Sequence, residues 1–302
     1  MPTFTRRTCL ALGASAALAP RAVFAAERVS LGAAEIVTLS DGALTLPAGM
    51  FFEPAPQEEL AALAPELGLD LAAPLTPPCN VTLLRDRDRV VLFDCGAGPS
   101  FMASAGRLGE ALATEGLAPE DITDVIFTHG HPDHLWGVLN DFDEPLFVNA
   151  THRMGRAELA YWSDPETVRS IGEARASFAA GATRRLAAIE MTEFEDGEEV
   201  VPGVTAVLTP GHTPGHMSFV LASGGESAML IGDAVGNDHV AMARPDWPSG
   251  ADQDMETGAA TRVRLLDRLA ADRMIAIGFH MGSGGIGRVE RLAEGYRFAT
   301  DL

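Results

Sequence analysis

The sequence predicts an α/β fold, a sandwich of two β-sheets with helices on the outside. Three observations carry this. Strand-like and helical runs alternate along the chain in two similar blocks, and each block ends its sheet in a polar loop. The chain has 302 residues and is 47% apolar, enough to bury a large core. No low-complexity stretch divides residues 27–302, so they read as a single domain.

The first 26 residues read as an address rather than a fold element. "TRRTCLALGASAALAPRAVFAA" has paired arginines, a short apolar segment and small residues before a cleavage point, which resembles a twin-arginine export signal. The apolar run is far shorter than the roughly 20 residues a bilayer span needs, so no membrane anchor is expected after cleavage. The expected location is periplasmic or secreted. All 22 basic residues are arginines against 42 acids, a net charge of −20. That balance excludes nucleic acid and anionic lipid surfaces as partners and leaves a small-molecule substrate, with a homodimer compatible. Loss of the signal leaves 19 arginines and a charge of −23.

After the signal, strands are expected at 35–39, 81–85 and 90–93, where β-branched and aliphatic residues run together. A helical pattern follows over 101–115, then a short apolar strand at 125–127. Residues 151–188, rich in Ala, Arg and Glu, read as helical throughout. Strands return at 204–208, 218–221 and 228–231, a helix is expected at 255–271, and strands close the chain near 274–277, 287–290 and 296–298. The segment "CNVTLLRDRDRVVLFDC" reads as a hairpin. A turn centred on Arg87 would set Cys79 opposite Cys95 and permit a cross-strand disulfide; an even-numbered loop would shift that register and leave two buried thiols.

The chemistry is concentrated in "DVIFTHGHPDHLWG", where three histidines and an aspartate fall within six positions straight after an apolar strand. Neutral imidazole and carboxylate are the ligands a zinc-like ion prefers. His129 and His131 alternate, so both can reach one ion from an extended segment, while Asp133 and His134 turn toward a second. Three later strand ends offer matching groups: His212 and His216 in "LTPGHTPGH", Asp233 in "AMLIGDAVG" and His280 in "MIAIGFHMG". Each is a weak signal alone. Together they fit one mouth where loops converge.

Through "HGHPDH", "PGHTPGH", "GDA" and "GFH", in order and approximate spacing, the chain resembles the metallo-β-lactamase superfamily, over about residues 37–298. The resemblance implies a four-layer αββα sandwich and two divalent ions, zinc first among them. By this resemblance His129, His131 and His212 hold one ion, Asp133, His134 and His280 the other, and Asp233 bridges them. His216 matches a position that is usually not a ligand and reads as support. An aspartate at Asp233 disfavours antibiotic cleavage and points toward glyoxalase II, the lactonases and the methyl parathion hydrolase group. "TLSDGALTLP", "ATRVRLLDRLAADRMIAIGFH" and "GIGRVERLAEGYRF" resemble the last two most. "MGSGG" at 281–285 departs from that group, whose members carry an aromatic and a proline after the last histidine, and it alters the pocket wall.

The mechanism so implied is hydrolysis of lactones or carboxylic esters, with phosphotriesters as a secondary class, by a hydroxide bridging the two ions; Asp133 or Asp233 steers the proton. Candidate pocket residues are Phe51, Phe52, Trp136, His239 and Trp247, an aromatic rim suited to an uncharged substrate. Trp162 reads as core. The alternatives are a glyoxalase II-like thioesterase, for which basic residues to hold a glutathione carboxylate are scarce, and a metal-holding protein without turnover.

Overall fold

The computed structural model describes residues 26–302; the expected export signal lies outside them except for Ala26. Two seven-stranded sheets face each other, and each follows chain order. The first contains β1 (Glu27–Leu31), β2 (Ala34–Ala43), β3 (Pro78–Asp86), β4 (Arg89–Phe93), β5 (Asp124–Phe127), β6 (Thr151–Gly155) and β7 (Met191–Phe194). The second contains β8 (Glu199–Val201), β9 (Val204–Leu208), β10 (Met217–Ser223), β11 (Glu226–Gly232), β12 (Ile275–Gly278), β13 (Ile286–Arg291) and β14 (Tyr296–Ala299). Helices α1 (Ala48–Phe52), α2 (Gln57–Glu66), α3 (Leu108–Thr114), α4 (Pro132–Leu135), α5 (Arg156–Ser163), α6 (Thr167–Ser170), α7 (Ala176–Leu186), α8 (Val240–Ala243) and α9 (Met255–Asp272) surround them.

Side-chain alternation along the strands builds the layers. On β5, Ile126 points inward to join Phe93, Phe219 and Leu230 between the sheets, while Val125 and Phe127 point outward beneath Leu112, Trp162 and Ala182 of the first helical layer. The other sheet is covered on its outer face by α9 through Leu265, Leu266 and Leu269. Asp254 caps that helix by accepting from the Thr257 N–H at 3.0 Å. The result is the expected αββα sandwich.

β4 and β5 run parallel in one sheet and β11 and β12 in the other. Every strand of both pairs therefore ends at the same rim, where parallel α/β sheets place their ligands.

Several elements differ from expectation. Residues 101–107 form turns, because Gly106 takes a left-handed φ of +82° and its N–H is held by Asp41; the helix starts only at Leu108. The stretch 151–188 opens with a strand, since Thr151–Gly155 pairs in parallel with β5. β1 escaped notice because it is a short edge strand that opens with two exposed charged residues, Glu27 and Arg28, and so shows no alternation. The β3–β4 hairpin pairs Asp86 with Arg89 across a two-residue turn, with Arg87 at φ +56°. That register shifts Cys79 away from Cys95, and both thiols are free and buried. The disulfide does not form.

Candidate metal centre

Seven side chains from four strand ends converge at the common rim. β5 delivers His129, His131, Asp133 and His134, the loop after β9 delivers His212, and the ends of β11 and β12 deliver Asp233 and His280. All are buried. His131 Nδ1 lies 3.0 Å from His129 Nε2 and 2.8 Å from His212 Nε2, so three ring nitrogens face one another. Asp233 is central, its Oδ2 3.2 Å from His280 Nε2 and 3.4 Å from His212 Nε2, its Oδ1 3.5 Å from His134 Nε2. Asp133 Oδ2 lies 3.3 Å from His280 Nε2 and 3.5 Å from His134 Nε2.

A set of groups this close, and this dry, fits a cation. His131 Nε2, His134 Nε2, His212 Nδ1, Asp133 Oδ2 and Asp233 Oδ1 are buried with no hydrogen-bond partner, an arrangement that costs stability unless something else satisfies part of it. Burial, then the neighbouring imidazoles, push His129 and His131 well below the ordinary histidine range, so both stand neutral with lone pairs free to ligate. The other half of the cluster demands positive charge. Against the opposing effect of burial, Asp233 and Asp133 raise His280 to about 10, and the same pair with Asp94 raises His134. Without ions, protons on these rings answer the two carboxylates. His129, His131 and His212 form one group of convergent ligand atoms and His129, His134 and Asp233 another.

The rings are aimed by an outer set of partners. Asp94, held at φ +66°, accepts from Thr128 N and Thr128 Oγ1 at 2.8 Å each and takes His134 Nδ1 at 2.8 Å, leaving His134 Nε2 toward the cluster. His280 Nδ1 donates to the Pro78 carbonyl at 2.7 Å, which turns Nε2 inward. His216, expected as support, accepts from the Asp233 N–H through Nε2 at 3.0 Å. Gly232 at φ +51° permits that turn; a Cβ there would stand 2.7 Å from His216 Nε2. His212 Nδ1 lies 3.5 Å from Asp252, itself paired in the interior with Arg262 at 3.1 Å.

Glu158 joins the two histidine loops. Wholly buried on α5, its Oε1 accepts from Gly130 N at 3.0 Å and Trp162 Nε1 at 2.5 Å, and its Oε2 from Thr213 Oγ1 at 2.8 Å and Gly215 N at 2.9 Å. Burial pushes its pKa up, and the four donors pull it back. Since all four are donors, the carboxylate form fits them. Asp94, Glu158, Asp252 and Arg262 were not singled out from the sequence. Each lies far along the chain from the group it orients, and no local pattern marks it.

The cleft over the cluster has an apolar wall that includes Leu44, Leu46, Met50, Phe51, Phe101 and Phe178, with Arg175 as its cation. Arg175 is held by the Gly250 and Ala251 carbonyls at 2.8 and 2.9 Å. Phe52 and Trp247 line a side pocket that shares Phe51, His212 and Asp233 with this cleft. His239 lies on the other flank, beside His280, its ring 5.9 Å from Phe52, and its Nδ1 is occupied by Val240 N. Trp136, expected at the pocket, instead packs behind Phe101 and under Arg185, and lines none of these clefts among the described residues. Trp162 is core.

Comparison with known proteins agrees with this architecture. The chain is 27% identical over 224 residues to an uncharacterized protein of Mycobacterium tuberculosis, 70% of this chain and 90% of that one. It is 29% identical over 130 residues to an N-acyl homoserine lactonase of a Bacillus species, 43% of this chain and 45% of that protein. Among solved structures, the dizinc quorum-quenching lactonase AidC, in complex with a product, superposes with a TM-score of 0.84 at 24% identity, covering 92% of this chain and 97% of that one. The hydrolase AbOPH superposes equally well, at the same identity and coverage. Residues 76–278 match the metallo-beta-lactamase superfamily, and the chain belongs to that superfamily.

Proposed function

We propose that this chain is a metal-dependent hydrolase of uncharged lactones or carboxylic esters that carry an apolar acyl chain, working with two divalent ions, most simply zinc. The observation that carries the reading is the buried cluster of converging His and Asp side chains, with His134 Nε2, Asp133 Oδ2 and Asp233 Oδ1 unpaired, at the floor of an apolar cleft. The lactonase likenesses support the same substrate class. His129, His131 and His212 would hold one ion and Asp133, His134 and His280 the other, with Asp233 shared. When bound, such ions supply Lewis acidity toward a carbonyl oxygen and bring the pKa of a water molecule near neutrality.

The chain's own residues do the rest. The wall from Leu44 to Phe178 takes the acyl chain and excludes bulk water. Asp94, Glu158 and the Pro78 carbonyl keep the ring nitrogens pointed at one volume. As water adds to the carbonyl carbon, its proton passes to a carboxylate oxygen of Asp133 or Asp233. It returns to the leaving alkoxide as the C–O bond breaks. An arginine-paired leader suggests that this chemistry is done outside the cytoplasm, in the periplasm or medium.

A panel of lactones, aryl esters, thioesters, a phosphotriester and a cephalosporin, assayed with metal-loaded protein, tests the reading. Acyl lactones or esters are expected to turn over fastest, and turnover of the cephalosporin alone would contradict it.

A further inference from the structure

Cys79 stands beside the metal cluster for reasons unrelated to a disulfide. It is fully buried, and its sulfur and ligand atoms of Asp133 and His280 all lie within 4.8 Å of one another. The segment that carries it is pinned to the His280 loop on both sides. The Pro78 carbonyl accepts from His280 Nδ1 at 2.7 Å, Asn80 N donates to the Phe279 carbonyl at 3.0 Å, and Asn80 Nδ2 donates to the Met281 carbonyl at 2.8 Å. The sulfur is therefore placed by the same contacts that aim the His280 ring. Within the same trio, Asp133 Oδ2 is buried without a hydrogen-bond partner, its nearest ring nitrogen being His280 Nε2 at 3.3 Å. The other free thiol behaves differently, since Cys95 Sγ reaches the His134 and Leu135 carbonyls at 3.3 Å each. Cys79 Sγ reaches no carbonyl in this way among the described residues; its backbone neighbour is the Leu44 N–H.

We infer that Cys79 is a further ligand of the ion held by Asp133, His134 and His280, an inference that rests on the metal-centre reading above. Binding would replace the S–H bond with a sulfur–metal bond and release the proton to solvent. A thiolate makes this half of the centre softer than its oxygen and nitrogen donors alone, favouring zinc or cobalt over manganese or magnesium there.

Cobalt(II) added to metal-stripped full-length protein tests this, because cobalt reports its own ligands. Visible ligand-field absorption reports cobalt in the His and Asp cluster, whereas a near-ultraviolet thiolate-to-cobalt charge-transfer band reports sulfur. The band is expected in wild type and in Cys95→Ser, and lost in Cys79→Ser and Cys79→Ala. In both Cys79 variants the second cobalt equivalent should bind about tenfold more weakly or worse, read by chelator competition. Two cobalt equivalents with visible absorption but no charge-transfer band in wild type would overturn the role of Cys79 alone. The same holds for a band that survives Cys79→Ala or disappears in Cys95→Ser. No cobalt uptake by wild type would overturn the metal centre as well. The wild-type spectrum decides even where a variant folds poorly.

Discussion

Replacing Asp233 with Ala removes the carboxylate that approaches His212, His134 and His280 together, from both halves of the cluster. The change takes away charge without opening a large void, so the chain is expected to fold. It should lose metal mainly from the Asp133, His134 and His280 half, and lose ester or lactone turnover by orders of magnitude. Elemental analysis beside a thermal melt separates this from a purely structural role, which predicts poorer folding with unchanged metal per folded chain. Glu158 makes the complementary prediction, since it touches no ligating atom. Truncation to Ala strands four buried donors. At about 1–3 kcal/mol for each unpaired buried group the loss should be at least about 4 kcal/mol, or a Tm drop of about 10 °C or more. Glu158→Gln keeps the shape but turns an amide N–H toward two of those donors. It should weaken the ion at His129, His131 and His212 by about 10–100-fold while leaving the chain folded. Unchanged chelator competition in the Gln variant would remove Glu158 from the support of the centre.

At the scale of elements, the loop between β4 and α3 is tied to β2 by one buried carboxylate. Asp41 accepts from Ala97 N at 2.8 Å and Gly106 N at 3.1 Å through Oδ2, and from Leu108 N at 2.8 Å through Oδ1. Burial outweighs these donors and raises its pKa from 3.8 to about 6. A carboxyl whose folded pKa lies above its unfolded one is held more firmly as the acid by the folded chain. Its contribution to stability is therefore present at low pH and lost as pH climbs through about 6, an amount of about 3 kcal/mol. Denaturation midpoints of wild type and Asp41→Asn between pH 4 and 8 should diverge accordingly, wild type losing ground as pH rises. Parallel curves would contradict the assignment. Elements of this kind also mark the limit of what the sequence made legible. The proposed ligands were readable because each follows an apolar strand, and His129 to His134 form one contiguous motif. Asp41, Asp94, Glu158 and Asp252 were not, because their partners lie in distant segments that only the folded sheet brings together. Helix α1 and strand β1 were missed because they are short and carry little periodicity, and Trp136 was misplaced because an aromatic beside a motif carries no direction.

For the whole molecule, the decisive feature is that two sheets each contribute a parallel strand pair ending at one rim. Neither sheet alone supplies the whole set of proposed ligands: His129, His131, Asp133 and His134 come from the first, His212, Asp233 and His280 from the second. Bound ions would therefore tie the halves of the sandwich together, and a ligand that binds only the folded chain stabilises it by mass action. Stripping metal with a chelator should lower the Tm, and restoring zinc should return it. The central claim of a dinuclear centre is tested most directly by elemental analysis of protein purified with supplementary metal. Two divalent ions per chain are expected; fewer than two, with the protein folded by its thermal melt, would contradict it.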